Sequence, residues 1–311
     1  MTIGRAAGVT DTGRRRLRNE DAFICEPPLF AVADGMGGAR AGEIAAGLAA
    51  AALEEAGAET RGAEGVAALI AEANRRIWER SLTDPETAGM GTTVTAALVD
   101  TASGTVAIGH VGDSRAYLLR GGAIEQLTTD HSLVAELVES GILTPEEAER
   151  HPQRSAITRA LGTEPTVDVD AFTITAEPGD VFLLCSDGLS IMVADEDVAA
   201  VIEAAERDPA RAAEGLVAAA NARGGEDNVT VVLFEIVAEA EADEPDRHPA
   251  EPTPERRSEP VQGQTQVEPE DASEAEVSRH GAGPGGRLAA LFFIAAVLAI
   301  GALVLYWGVT R

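Results

Sequence analysis

A short apolar run that ends at an aspartate constrains this sequence more than any other feature. Residues 29–33 are all apolar, and the segment Asp34-Gly35-Met36-Gly37-Gly38 follows directly. An uninterrupted apolar run of this length is typical of a strand buried on both faces, so packing fixes the carboxylate at its end. The glycines after the acid allow backbone and ligand to approach each other closely. The pattern predicts a buried strand that delivers Asp34 to a ligand-binding loop.

The same pattern occurs at three further places. Asp113 and Asp187 each follow an apolar run, and Asp227 precedes one. A single aspartate and glycine after a strand is normally a turn, but four aspartates at four strand ends require another explanation. Clustered carboxylates repel one another unless a cation neutralises them, and oxygen ligands suit magnesium or manganese. The sequence therefore predicts a multi-carboxylate site for a divalent metal.

An arginine-rich segment precedes the Asp34 strand by one hairpin length. Its sequence is Arg14-Arg15-Arg16-Leu17-Arg18-Asn19-Glu20-Asp21. A basic cluster is often only a solvated face, and that alternative remains open at this stage. The spacing nevertheless predicts that Arg16 and Glu20 lie beside the carboxylate cluster.

Composition excludes several functions and divides the chain into three zones. The 311 residues carry a net charge of −28, and all 24 basic residues are arginine. Mechanisms that need a lysine are excluded, and nucleic acid is not expected as a partner because phosphate backbones require basic surfaces. Residues 1–237 form the predicted catalytic domain, the acidic, proline-rich residues 238–286 a disordered linker, and residues 287–311 a hydrophobic tail.

Hydrophobic periodicity predicts the class of fold. Helices are expected over 41–56 and 64–80, followed by consecutive hairpins over 91–127. Residues 131–161 are expected to be mostly helical, and helices over 195–206 and 209–223 are expected before a final strand. This order favours an α+β sandwich in which helices cover two antiparallel sheets.

Six motifs occur in the order found in a known family: Arg16-Leu17-Arg18-Asn19-Glu20-Asp21, Asp34-Gly35-Met36-Gly37-Gly38, Gly91-Thr92-Thr93, Gly112-Asp113-Ser114-Arg115, Ser186-Asp187-Gly188-Leu189 and Asp227-Asn228-Val229-Thr230. Over residues 1–237 the chain resembles the metal-dependent protein phosphatases, the type 2C serine/threonine family, and in particular its bacterial, membrane-anchored branch. The resemblance implies a four-layer αββα sandwich with two Mn²⁺ or Mg²⁺ ions in a cleft between the sheets.

The resemblance also implies how the two ions are held. Asp34 would bridge them, and Asp187 and Asp227 would complete one. Glu20 and the Gly35 carbonyl would hold the other, partly through water. The implied reaction is hydrolysis of phosphoserine and phosphothreonine in proteins by direct attack of the hydroxide that bridges the metals.

Further roles follow from the same resemblance. Asp21 would order the surrounding waters, and Arg16 would bind the substrate phosphate through its planar guanidinium. Asp113, together with Asp187 and Ser155, would form a third metal site.

The chain departs from the eukaryotic members at one position. A histidine assigned there as the general acid is replaced by Met36, and a thioether cannot donate a proton. A metal-bound water would then protonate the leaving oxygen. Residues 144–161 resemble the flap of the family, in which His151 and Arg154 are expected as substrate contacts, with a structural role as the alternative for each.

Two other functions are compatible with parts of the sequence. Ser114 lies in a near match to the motif of serine hydrolases, with His131 or His151 as the base. That mechanism would leave the aspartates unused. A phosphatase-like binding module without activity is the other alternative, but such a loss normally removes a ligand and every expected acid is present.

The C-terminal tail contains a predicted membrane span. Residues 288–309 form an uncharged apolar run of 22 residues, with Tyr306 and Trp307 near its end. At ~1.5 Å per residue such a helix crosses a hydrocarbon layer of ~30 Å. Because the catalytic domain would be made before this span, we expect a single-pass protein of the cell membrane with a cytoplasmic phosphatase domain. Membrane-bound serine/threonine kinases would be among its phosphorylated partners.

Overall fold

The computed structural model describes residues 1–37, 41–57 and 59–239. Twelve strands and seven α-helices are found in these ranges. No helix within them is long and apolar enough to cross a membrane. The predicted span over 288–309 and the linker from residue 240 onward lie outside the described residues.

Two five-stranded antiparallel sheets form the centre of the fold. The first contains, in spatial order, β1 (Thr2–Asp11), β12 (Val229–Val237), β11 (Val181–Cys185), β8 (Arg115–Arg120) and β9 (Ala123–Gln126). The second contains β10 (Asp170–Thr175), β7 (Thr105–Val111), β6 (Val94–Asp100), β3 (Leu29–Ala33) and β2 (Ala22–Glu26). A short ladder joins β4 (Gly35–Met36) to β5 (Gly91–Thr92).

Helices cover the outer face of each sheet. The elements are α1 (Ala41–Gly57), α2 (Gly62–Thr83), α3 (Leu133–Glu139), α4 (Pro145–Glu149), α5 (Asp187–Ser190), α6 (Asp195–Ala204), α7 (Pro209–Ala222) and a 3₁₀ turn at Pro85–Thr87. One core lies between α1, α2 and the second sheet, and another between α6, α7 and the first sheet. A third core lies between the sheets. The predicted two antiparallel sheets with flanking helices are confirmed, in four layers.

The strand before Asp34 shows how these layers fix the direction of side chains. All five residues of β3 are buried. Leu29 and Ala31 pack in the core beneath the helices, whereas Phe30 and Val32 pack between the sheets. Side chains alternate along a strand, so the strand is apolar on both faces because both faces are covered.

Stacked aromatic rings join the two sheets. Phe30 of the second sheet stacks on Phe234 of the first, with ring centroids 4.1 Å apart. Phe182 stacks on the same ring at 5.0 Å. Phe30 and Phe182 belong to β3 and β11, the strands that lead to Asp34 and Asp187, so the stack holds these strands in the core between the sheets.

The prediction that residues 131–161 are mostly helical is wrong in part. Only α3 and α4 are helical there, and α4 begins with a reciprocal capping box between Thr144 and Glu147. Gly141, with a φ of +71°, lies just after α3. The later part of the segment instead forms bridges from Ser132 to Ile157 and from Thr92 to Leu161. Tertiary pairing therefore replaces local helix formation in this segment.

Candidate metal centre

The strand ends meet at a cleft of about 940 Å³. Eight of the predicted site residues line it: Arg16, Glu20, Asp34, Gly35, Asp113, Ser155, Asp187 and Asp227. The acids come from five separate segments of the chain, so the fold gathers side chains that are as many as two hundred positions apart in sequence. The predicted placement of Arg16 and Glu20 beside the acids is confirmed.

Hydrogen bonds from β5 and the residue after it hold the backbone of Asp34. The Asp34 carbonyl accepts from the Thr93 backbone N–H and from the Thr92 hydroxyl, each at 2.9 Å. The Asp34 N–H donates to Thr93 Oγ1 at 3.1 Å. Thr93 Oγ1 in turn lies 2.5 Å from Ser114 Oγ, so buried hydroxyls link the Asp34 strand end to the turn that carries Asp113.

The turn between β7 and β8 presents Asp113. Gly112 has a φ of +116°, a conformation that favours glycine. Its N–H donates to His131 Nδ1 at 2.9 Å, and its carbonyl accepts from the His131 N–H at 2.7 Å. Asp113 itself is only 6% exposed. His131 therefore fixes the backbone that positions a buried carboxylate.

The carboxylates of Asp187 and Asp227 lie at the ends of two strands of the first sheet. Asp187 begins α5 directly after β11, and Asp227 precedes β12. The Asn228 N–H donates to Asp227 Oδ1 at 2.8 Å. Arg16 Nη2 donates to Asp227 Oδ2 at 2.5 Å, so a guanidinium supplies the positive charge next to this acid.

The side chain of Asn228 fastens the arginine-rich loop to the site. Asn228 is only 4% exposed. Its Oδ1 accepts from the Glu20 N–H at 2.8 Å, and its Nδ2 donates to the carbonyls of Thr12 and Arg18 at 3.0 and 2.8 Å. Two residues further on, the Thr230 hydroxyl donates to Asp21 Oδ2 at 2.6 Å.

Only a glycine fits at position 35, because neighbouring backbone atoms occupy the space that a side chain would need. A side chain there would collide with the carbonyls of Gly42 and Glu20. The Glu20 carboxylate in turn packs against Gly42, in the first turn of α1. These glycines bring Glu20 and the Gly35 backbone together, which is the pair predicted to share one ion.

The electrostatics of the cluster are unfavourable without a cation. Burial, followed by the charges of neighbouring aspartates, raises the pKa of Asp34 and of Asp187 well above the usual value. Burial raises the pKa of Asp21 and of Asp113 to about 6. Burial also raises the pKa of Glu20. Each shift means that the folded protein disfavours the charged carboxylate.

Unpartnered buried oxygens show what the cluster can hold. Asp21 Oδ1, Asp113 Oδ1 and Asp187 Oδ1 are buried and have no hydrogen-bond partner. Among the described residues, no group of three or more acid, imidazole or thiol side chains is arranged so that these side chains alone could hold a metal ion. Oxygen donors at the edge of an open cleft suit Mg²⁺ or Mn²⁺, which keep several waters. The donor set fits the predicted divalent ions.

Two predicted substrate contacts are not on the cleft wall. His151 Nδ1 accepts from the Gln153 N–H at 3.2 Å and so caps a turn. Arg154 pairs with Glu226, the neighbour of Asp227, at 3.5 Å. Asp21, which was predicted to order the waters, does not line the cleft either, and its negative charge raises the pKa of Asp34. The substrate roles of His151 and Arg154 stay predictions.

The serine-hydrolase hypothesis does not agree with the surroundings of Ser114. This residue has no exposed surface, and its hydroxyl pairs with Thr93. His131 uses Nδ1 to accept from Gly112, and its Nε2 lies 3.2 Å from Asp170 Oδ2. Neither ring nitrogen is available to Ser114, so the residue links two loops and is not a nucleophile.

The comparison with known families agrees with this geometry. The model of the protein phosphatase 2C family matches residues 13–219. The chain belongs to this family. It is 41% identical over 238 residues to the serine/threonine phosphatase Stp of Listeria monocytogenes, an alignment that covers 73% of this chain and 93% of the relative.

Solved structures show the same fold. The Mycobacterium tuberculosis serine/threonine phosphatase PstP superposes with a TM-score of 0.71 at 39% identity, covering 76% of this chain and 100% of that chain. A second structure, the catalytic domain of PstP in complex with two manganese ions, gives a TM-score of 0.70 at 38% identity, covering 76% and 99%. Members of the protein phosphatase 2C family are therefore similar to this chain over both sheets.

Sequence reasoning missed the residues that hold the ligands in place. The roles of Asn228, Thr230, Thr93 and His131 were not predicted. Asn228, Thr230 and Thr93 lie within motifs that the sequence did reveal, and Asn228 also follows the acid Asp227 directly, so membership of a motif was an available signal. His131 had none, because its partner Gly112 is 19 positions away.

We predict that Asp113→Asn stabilises the metal-free protein increasingly as the pH rises from about 4 to about 7. The folded pKa of about 6 exceeds the ordinary value of 3.8. The wild-type carboxyl is therefore protonated and favourable below about pH 4, and this contribution is lost as the pH rises through 6. Urea unfolding with excess chelator should show a difference of roughly 2 to 3 kcal/mol at pH 7 and little at pH 4.

Glu214→Gln is the control for this measurement, since Glu214 is an exposed acid on α7. As a substitution on the exposed surface, it should leave the free energy of unfolding within about 0.5 kcal/mol of wild type. A difference between Asp113→Asn and wild type that is constant from pH 4 to 7 would contradict the prediction.

Proposed function

We propose that this protein is a metal-dependent serine/threonine protein phosphatase that hydrolyses phosphoserine and phosphothreonine in proteins. The observation that carries the proposal is the set of buried, unpartnered carboxylate oxygens at an open cleft with Arg16 on its wall. The relatives named above are serine/threonine phosphatases, and one of them is bound to two manganese ions. The names of these relatives and the bound manganese ions support a metal-dependent phosphatase activity for this chain.

Divalent cations held by these acids would activate water and neutralise the charge that develops on the phosphoryl oxygens. The residues of the chain supply position and complementary charge. Asp227 would hold a cation, and the Arg16 guanidinium on the cleft wall would donate to two oxygens of the substrate phosphate. Met36 lines the cleft but has no proton to donate, so the leaving oxygen takes its proton from water.

A phosphothreonine peptide assay tests the proposal and separates it from both alternatives. We expect hydrolysis with Mn²⁺, loss with excess chelator, and loss in Asp34→Asn, because that change removes an anionic ligand from the centre of the cluster. A fluorophosphonate probe should leave the protein unlabelled. Activity that survives chelation and disappears with the probe would indicate a serine hydrolase, and no activity with any metal would indicate a binding module.

A second prediction concerns the phosphate contact. Arg16→Gln should lower kcat/KM by ~30- to 150-fold, which corresponds to roughly 2 to 3 kcal/mol for a lost bidentate charged contact. The concentration of Mn²⁺ that gives half of the full activity should not rise, since a guanidinium cannot bind a cation. Steady-state kinetics at several Mn²⁺ concentrations measures both quantities.

Arg14→Gln is the matched control, because Arg14 lies in the same loop and is exposed but does not line the cleft. It should retain wild-type kinetics. A fall in activity of Arg16→Gln that added Mn²⁺ restores would assign the residue to the metal site and contradict the phosphate role.

We also propose that residues 288–309 anchor the protein in the cell membrane with the phosphatase domain in the cytoplasm. The uncharged run of 22 residues and its terminal Tyr306 and Trp307 support this proposal. The 49-residue acidic linker between the phosphatase domain and the hydrophobic tail would let the domain reach ~35 to 42 Å along the membrane. Such a tether favours phosphoproteins at the inner membrane face, including membrane-bound serine/threonine kinases.

Fractionation of cells tests the anchor. The full chain should remain in the membrane after washing with alkaline carbonate, whereas residues 1–239 should be recovered in the supernatant. Protease added to intact spheroplasts should leave the phosphatase domain whole until the cells are lysed. Release of the full chain by carbonate would contradict the anchor, and digestion before lysis would contradict its orientation.

A further inference from the structure

One wall of the cleft is basic, although the protein as a whole is strongly acidic. Arg15, Arg16, Leu17 and Arg18 all line the cleft, whereas the net charge of the chain is −28. Two of the three arginines already have partners. Arg15 pairs with Glu226 at 3.3 Å, and Arg16 pairs with Asp227 at 2.5 Å.

The Arg18 guanidinium differs from its neighbours. It is exposed, and within the described ranges it makes neither a side-chain hydrogen bond nor an ion pair. Its charge reaches Glu20, whose pKa it lowers, but this is a minor influence beside the burial of that acid. The positively charged Arg18 guanidinium on the wall of the cleft is therefore available to a substrate.

The backbone around Arg18 is held firmly. Its carbonyl accepts from the buried Asn228 side chain at 2.8 Å. At the start of the loop, the N–H groups of Arg14 and Arg15 donate to the Gly225 carbonyl at 2.8 and 3.2 Å. A charge on an ordered loop binds at a lower entropic cost than one on a flexible loop.

We propose that Arg18 determines substrate specificity by binding a second anionic group close to the phosphorylated residue. This inference rests on the proposed phosphatase function, in which Arg16 binds the phosphate that is removed. Arg16 and Arg18 are two residues apart, so their Cα atoms are separated by at most about 7 Å. Each guanidinium extends several ångströms from its Cα, so the second anion is expected within about four positions of the phosphoresidue.

The wall between the two arginines fits a peptide. Leu17 is 99% exposed, and it lies on the cleft wall between Arg16 and Arg18. A bound peptide would cover this apolar side chain while its acidic group pairs with Arg18. A guanidinium binds carboxylates and phosphates alike, so the anion is either an acidic side chain or a second phosphate.

Matched phosphothreonine peptides test the proposal with the full chain and Mn²⁺. The peptides carry Gln, Glu or a non-hydrolysable phosphonate analogue of phosphoserine at each of the positions within four residues of the phosphothreonine. For at least one position the wild type should prefer an anionic peptide to its Gln counterpart by about two- to fivefold in kcat/KM, the effect of an exposed charge pair. The relative preference for Glu and phosphonate identifies the source of the anion.

Arg18→Gln should reduce this preference to about one, while Arg14→Gln should retain it. The wild-type preference should also decline as salt is added, because an exposed charge pair is screened. If Arg18 only offset the charge of the acid cluster, Arg18→Gln would lower kcat/KM for all peptides equally.

That equal loss, or a preference that survives in Arg18→Gln, would overturn the role of Arg18 and leave the phosphatase function intact. A wild-type enzyme that hydrolyses all the peptides equally would overturn it too. Failure of the wild type to hydrolyse any of them would overturn the proposed function and this inference together.

Discussion

Repulsion among buried carboxylates dominates the site of this protein. Burial and like charge together raise the pKa values of Asp34 and Asp187, and burial raises those of Asp21 and Asp113. A folded protein keeps such a cluster only when the surrounding structure holds it or when cations neutralise it. The unpartnered Oδ1 atoms are the direct sign that oxygen donors have been left for ions.

Packing far from the acids supplies the force that holds them. The three cores fix the spacing of the sheets, and Phe30 and Phe182, on the strands that lead to Asp34 and Asp187, both stack on Phe234. Because these strands are apolar on both faces, neither can shift without exposing a large apolar area. The scaffold therefore opposes the tendency of the carboxylates to separate.

Neutral polar side chains hold the loops with the accuracy that the site requires. The Thr93 hydroxyl joins Asp34 to Ser114, His131 holds Gly112, and Asn228 binds the loop of Glu20. Each of these contacts is at least partly buried, where the loss of one partner would leave a polar group unsatisfied. Arg16 and Arg18 lie on the cleft wall, and both are exposed to solvent. The acids supply oxygen donors, the neutral groups position the acids, and the two guanidiniums add positive charge to the cleft wall.

The sequence by itself determined the sheets, most helices and the acids of the site. Apolar runs at strand period predicted the strands, and an aspartate at the end of each run predicted the ligands, because both signals are local. The motifs also indicated the family, which the comparison confirms.

Only the tertiary structure decided which residues hold those acids and how the flap is folded. Asn228 reaches Glu20 across 208 positions, and Leu161 pairs with Thr92 where a helix was expected. Such contacts depend on the meeting of the two sheets and leave no periodic signal. The same is true of the two arginines on the cleft wall. Only the fold showed that Arg16 pairs with Asp227 and that the Arg18 guanidinium has no hydrogen-bond or ion-pair partner among the described residues.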